Sequence, residues 1–236
     1  MATLTLNTPD GPMEVFNVGQ EGAPKGAVVV LQEAFGVTGH IKDVCRRFAD
    51  EGYRAVAPHL FHRSGDPVLG YDEFPKAKTY LEQLTQPELL TDLRATIERL
   101  SLDGFKLSRI AAVGFCMGGS VSLLAAATWP IGAAVTYYGG GVAEGRFGMP
   151  PLVELIPSLQ SPWLGLYGET DPTIPVAQVE LLRRALARTP ELTDVVSYPE
   201  AGHGFNCDAR DSYHQPSAKD AWARTAAWLH INLADS

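Results

Sequence analysis

The sequence predicts one α/β domain with a mostly parallel sheet and helices on both faces. Two observations predict it. Short continuous apolar runs, such as Gly26–Leu31 (GAVVVL) and Arg109–Gly114 (RIAAVG), read as strands buried on both sides. Between such runs lie longer stretches of helical periodicity, as at Leu89, Leu90, Leu93, Ile97 and Leu100.

Taken in order, Met13–Val18 alternates like an early edge strand, and Gly26–Leu31 follows as the first buried one. Arg54–Ala57, Arg109–Gly114, Gly132–Tyr137, Trp163–Tyr167 and Asp194–Tyr198 continue the series. Helices are expected at His40–Glu51, Phe74–Leu84, Pro87–Leu100, Met117–Ala127, Val176–Ala187 and Ser217–Asn232. Ligands of such sheets bind outside the carboxyl ends of the strands. No repeat, low-complexity tract or linker divides the chain, so residues 1–236 are read as a single domain. The Gly- and Pro-rich stretch Gly139–Pro157 is the candidate lid over a site.

Composition narrows the function. With 236 residues, 45% of them hydrophobic, the chain can bury a full core. A net charge of −8 argues against nucleic acid, which needs a basic patch. Cys45, Cys116 and Cys207 form neither CxxC pairs nor metal-ligand spacing, which fits a reducing compartment. The N-terminus lacks the basic and apolar regions of a signal peptide, and no apolar run reaches the ~20 residues of a membrane span. A cytoplasmic protein without membrane contact is expected, as a monomer or small homo-oligomer, with no metal and no organic cofactor.

The chemistry is concentrated at Gly114-Phe115-Cys116-Met117-Gly118-Gly119. This is the G-x-nucleophile-x-G turn between a buried strand and a helix, with cysteine in the place of serine. The sharp corner needs small neighbours, which Gly114 and Gly118 provide. A helix N-terminus also favours the thiolate. An acid and a histidine should follow in that order, each beyond a late strand. Asp171, in Tyr167-Gly168-Glu169-Thr170-Asp171-Pro172, and His203, in Ala201-Gly202-His203-Gly204-Phe205, fit. His203 would be the general base and Asp171 would fix its tautomer; Glu169 is the rival acid. Oxyanion donors are expected from the amides of Met117 and Ala34.

These residues resemble the dienelactone hydrolase (carboxymethylenebutenolidase) family of the α/β-hydrolases. The resemblance runs from Gly26 to about Leu229 and rests on Gln32-Glu33-Ala34-Phe35-Gly36-Val37, the cysteine turn, Asp171 and the Ala201–Phe205 segment. It implies an α/β-hydrolase fold and cleavage of a small-molecule ester or lactone through an acyl-enzyme. It also implies that Glu33 contacts the resting cysteine and helps to deprotonate it. The alternatives left by the residues are a broad carboxylesterase or thioesterase and a non-catalytic binding protein of the same fold.

The family places two arginines on the substrate carboxylate. Here Lys76, four residues before Tyr80, stands at one of those positions and Cys207 at the other, so a weakened dienelactone preference is expected. Lys76, Tyr80, Phe35 and Phe115 are the candidate substrate contacts, the two phenylalanines as an apolar acyl pocket. His59 and His62 are read as pocket wall, and Tyr137 and Tyr138 as pocket lining or core. Cys207, near the expected site mouth, is a candidate for a reversible disulfide with Cys116.

Overall fold

The computed structural model describes residues 2–19 and 24–233. Its centre is one eight-stranded sheet in the spatial order β1-β2-β4-β3-β5-β6-β7-β8. The first two strands, β1 (Ala2–Thr8) and β2 (Gly11–Val18), form an antiparallel hairpin, and β2 pairs antiparallel with β4 (Arg54–Pro58). From β4 onward every pairing is parallel, through β3 (Ala27–Leu31), β5 (Ile110–Phe115), β6 (Ala133–Tyr137), β7 (Trp163–Gly168) and β8 (Thr193–Tyr198).

Met13–Val18 is therefore an inner strand, with β1 outside it. In Ala2–Thr8 leucines alternate with threonine and asparagine, a pattern too polar and too close to the terminus to announce a strand. The continuous apolar runs do mark the centre, since β3, β5, β6 and β7 are buried at every position. Burial at each position requires cover on both faces, which the helices supply.

Among the described residues seven α-helices accompany the strands: α1 (Gly39–Asp50), α2 (Phe74–Leu81), α3 (Gln86–Leu102), α4 (Met117–Thr128), α5 (Leu152–Leu155), α6 (Val176–Leu186) and α7 (Gln215–Asn232). Local chemistry sets several of their ends. Thr38 caps α1 by accepting from the Ile41 amide. Thr85 accepts from the Glu88 amide and donates to its carboxylate at 2.6 Å, a capping box at the start of α3. α4 is buried on almost every side, and α1 meets α7 where Phe48 packs on Trp222 at 4.6 Å. The short α5 lies inside the stretch expected as a lid.

One buried charge staples the amino-terminal half. Asp92 of α3, wholly inaccessible, accepts two hydrogen bonds from Arg63 at 2.8 and 2.9 Å and lies 3.1 Å from His62 Nε2. Arg63 also reaches Asp10 in the β1–β2 turn. His62 is thus a structural partner of α3.

Candidate active site

Parallel register brings the carboxyl ends of the central strands to one edge, where Leu31 pairs with Gly114, Phe115 with Tyr137 and Gly168 with Tyr198. Glu33 lies just past β3, Cys116 past β5, Asp171 past β7 and His203 past β8.

Cys116 sits between β5 and α4 with φ 55° and ψ −117°, a conformation that side chains rarely adopt. Its surroundings hold it there. The Cys116 amide donates to Tyr137 O and the Gly118 amide to Gln32 O, both at 3.0 Å. A Cβ on Gly114 would lie 1.8 Å from Gly118 O, and one on Gly118 would lie 2.3 Å from Leu31 O. The two glycines let α4 begin against the strand ends, so the strained corner is enforced by close packing. Met117 opens the helix, so its N–H lies in the first turn, where no intrahelical acceptor precedes it. Ala34 occupies the turn directly after β3.

His203 Nδ1 meets Asp171 Oδ2 at 2.7 Å, and Asp171 is almost completely buried. Thr173, which the sequence did not single out, completes this contact. Its amide and hydroxyl both donate to Asp171 Oδ1 at 2.7 Å, and the hydroxyl lies 3.3 Å from His203 Nδ1. Asp171, and not the exposed Glu169, is the acid that meets the ring. Burial works against the Asp171 carboxylate, but hydrogen bonds from His203 and Thr173 hold its pKa below the usual value. Burial alone would lower the His203 pKa, but the charge at Cys116 and the bond to Asp171 outweigh it and push it up to about 10. The imidazole is therefore protonated at neutral pH, beside the sulfur.

Glu33 is fully buried, and its Oε1 accepts from Arg210 Nη1 at 3.4 Å. Its Oε2 has no hydrogen-bond partner, so the expected contact with the resting cysteine is absent from this conformation. The Arg210 guanidinium lies over Phe35 at 5.7 Å and Tyr71 at 5.5 Å, and this aromatic cradle aims it at Glu33. Tyr71 in turn sits within reach of Thr38 and accepts from the Cys207 thiol at 3.2 Å.

Above these groups opens a cleft of about 670 Å³. Cys116, His203 and Thr173 form its floor, Phe74, Leu81 and Phe147 give apolar walls, and Lys78, Arg146 and Arg210 bring positive charge. Arg146 and Phe147 come from the Gly139–Pro157 stretch, which does form one wall.

Several expected contacts lie elsewhere. Lys76 is exposed and pairs with Glu73 at 3.4 Å; α2 turns Lys78 toward the cleft instead. Tyr80 packs on Phe61 at 5.8 Å, outside the cleft lining. Phe115 points beneath the elbow, stacked on Tyr137 at 4.6 Å, because alternation along β5 sends its side chain into the core. Phe35 is buried behind Arg210 and supports that charge without lining the cleft. Tyr137 and Tyr138 are fully buried, and the Tyr138 ring lies 5.1 Å from that of His203. Cys207 is buried, its thiol pushed up to about 11 by burial and by the nearby Glu33 charge, so it is no thiolate poised for exchange. His59 bonds Asp66, and Glu14 lies close by, a carboxylate pair drawn from distant sequence that spacing did not reveal.

Two arginines line the cleft from positions other than 76 and 207. Arg210 follows His203 by seven residues, and Arg146 comes from the lid stretch; neither offset was legible, because irregular loops decide where they point.

Known proteins share this architecture and sequence. The family model described as "Dienelactone hydrolase family" matches residues 13–233. The protein named "Putative carboxymethylenebutenolidase" of Salmonella typhimurium is 38% identical over 97% of this chain and 92% of its own. Its namesake in Escherichia coli K12 is 40% identical over 89% of this chain and 78% of its own. A crystal structure titled as a "Putative Dienelactone Hydrolase", from Klebsiella pneumoniae, superposes with a TM-score of 0.89 at 38% identity, covering 97% of each chain. A promiscuous phosphotriesterase from metagenomic libraries, 22% identical, shares the fold with a TM-score of 0.79 over 98% of each chain. With the family match spanning nearly its whole length, this chain belongs to the dienelactone hydrolase family and is a carboxylic ester hydrolase of the α/β-hydrolase fold.

Proposed function

We propose that the chain hydrolyses small anionic esters or lactones by covalent catalysis at Cys116. The observation that carries this reading is the pairing of the strained Cys116 elbow with a protonated His203 held by Asp171. A thiolate beside an imidazolium is the competent nucleophile. It attacks the substrate carbonyl, and the amides of Met117 and Ala34 receive the oxyanion. The tetrahedral intermediate collapses to a thioester as the leaving oxygen takes the proton from His203. Acylation removes the thiolate charge that had raised the His203 pKa, so the ring is left neutral and able to deprotonate water. Hydroxide then releases the acid and restores the pair.

Glu33 belongs to this scheme as a movable charge. Substrate carboxylate entering beside Arg210 competes for the guanidinium and frees Glu33, whose Oε2 already lacks a partner. Where the sulfur is still protonated, the freed carboxylate can take its proton in place of His203.

Charge in the cleft sets the substrate class. Lys78 is paired with Glu82 of the same cleft at 3.6 Å, so Arg146 and Arg210 are the groups that supply the charge positions 76 and 207 lack, and selection for an anionic substrate rests on these two arginines. The test is hydrolysis of dienelactone beside a neutral aryl ester, with Cys116→Ala as control. Preference for dienelactone, lost together with aryl ester turnover in the variant, is expected. Turnover of the aryl ester alone would overturn the substrate class, and an active variant would overturn the nucleophile. The alternative of a broad carboxylesterase or thioesterase predicts the first of those outcomes. Among the described residues no helix is long and apolar enough to cross a membrane.

A further inference from the structure

A second cavity, about 330 Å³, opens behind the loop that carries His203. It is far larger than the ~30 Å³ share of a single water. Its walls come from α1 through His40, Asp43, Val44 and Arg47, from the segment after His203 through Asn206, Asp208 and Tyr213, and from α7 through Ala218 and Lys219.

Three features of these walls call for a ligand. Asn206 is 3% exposed, yet neither its amide nitrogen nor its carbonyl oxygen has a hydrogen-bond partner. His40, 8% exposed, likewise has an unpartnered Nε2. A buried polar atom without a partner forfeits its hydration with no return, so a partner is favoured strongly. The third feature is charge. Asp43 is paired with Arg46, and Asp208 faces His40 at 3.8 Å, while Arg47 and Lys219 have no ion-pair partner among the described residues. The Arg47 guanidinium lies over the Trp222 ring at 3.6 Å from its centroid, a stacking contact that holds it at the cavity wall.

We infer that this cavity binds a small oxyanion, a phosphate or short carboxylate, held by Arg47, Lys219 and the Asn206 amide. The site is separate from the catalytic cleft and shares no lining residue with it. It does not depend on the hydrolytic reading. Its location suits communication with the chemistry: Asn206 follows His203 by three residues, and the His40 ring meets Phe115, next to the nucleophile, at 5.9 Å.

The test is an NMR titration of the full chain with inorganic phosphate and, separately, with succinate, following the Asn206 side-chain amide. Saturation by at least one anion, with a half-point below about 10 mM, is expected, and the anion that saturates identifies the source. Arg47→Gln with Lys219→Gln should weaken binding at least ~10-fold, while Arg146→Gln in the cleft should leave it unchanged. Lys219→Gln alone, at an exposed position, should weaken it ~3-fold and covers the case in which the double variant fails to fold. A response that never saturates with either anion would overturn the inference. So would binding abolished by Arg146→Gln and untouched at Arg47 and Lys219.

Discussion

At the scale of single residues, the proposed mechanism turns on the protonation of His203. Its pKa, raised to about 10, means that the proton is in place at neutral pH and is lost only in strong base. The activity on esters should therefore hold through neutrality and fall as pH rises through about 10, where no proton remains for the leaving oxygen. Asp171→Asn removes one of the two charges that raise this pKa, so the alkaline limb of kcat/KM should move to lower pH; an unmoved limb would deny Asp171 its role. The same proton contributes to stability. Since the folded pKa lies above the unfolded value of about 6.5, that contribution is complete below pH ~6.5 and disappears through about 10. On the proposed reading Arg146 serves binding alone, so Arg146→Gln should raise KM for an anionic ester about 10-fold, with kcat within about 2-fold and a neutral ester unaffected. An equal loss with the neutral ester would show that the residue shapes the lid and does not read charge.

The sequence showed these residues unequally. Cys116, Asp171 and His203 were legible because each follows a strand whose apolar run is unmistakable, and strand ends converge in a parallel sheet. Arg210, Arg146, Tyr71 and Thr173 were not, because their positions depend on loop paths that no periodicity encodes. Phe115 was misplaced for a simple reason: adjacency to the nucleophile in sequence does not put a strand side chain on the nucleophile's face.

At the scale of elements, the β5–α4 corner is the most constrained part of the chain. Gly118→Ala would drive a methyl to 2.3 Å from Leu31 O and 2.5 Å from Gln32 O, both backbone atoms that cannot yield without moving β3. Destabilisation of at least about 3 kcal/mol is expected, with loss of activity in any folded fraction, and urea unfolding measures it. A variant of unchanged stability and activity would contradict the close packing that creates the elbow. The longer helices were legible from their apolar periodicity, whereas β1 and the four-residue α5 were not. A half-polar edge strand and a single helical turn carry little signal.

At the scale of the whole molecule, one sheet supports both the catalytic edge and the buried network around Asp92. Replacing Asp92 by Ala leaves Arg63 and His62 facing an empty position between α3 and the first hairpin. A loss of about 3–5 kcal/mol is expected, as for a buried pair broken at one partner, and calorimetry would register it as a lower Tm. A change below about 1 kcal/mol would mean that water already screens the pair. Asp92, Arg63 and His62 do not line the cleft, so the remaining folded enzyme should keep its kcat.

The central claim, that Cys116 carries the acyl group, is tested most directly by mass analysis of the enzyme quenched in acid during turnover of an acetyl aryl ester. The account predicts one acetyl group on the peptide that contains Cys116, absent from Cys116→Ala. Full turnover with no acylated Cys116, or with the label on another residue, would contradict it.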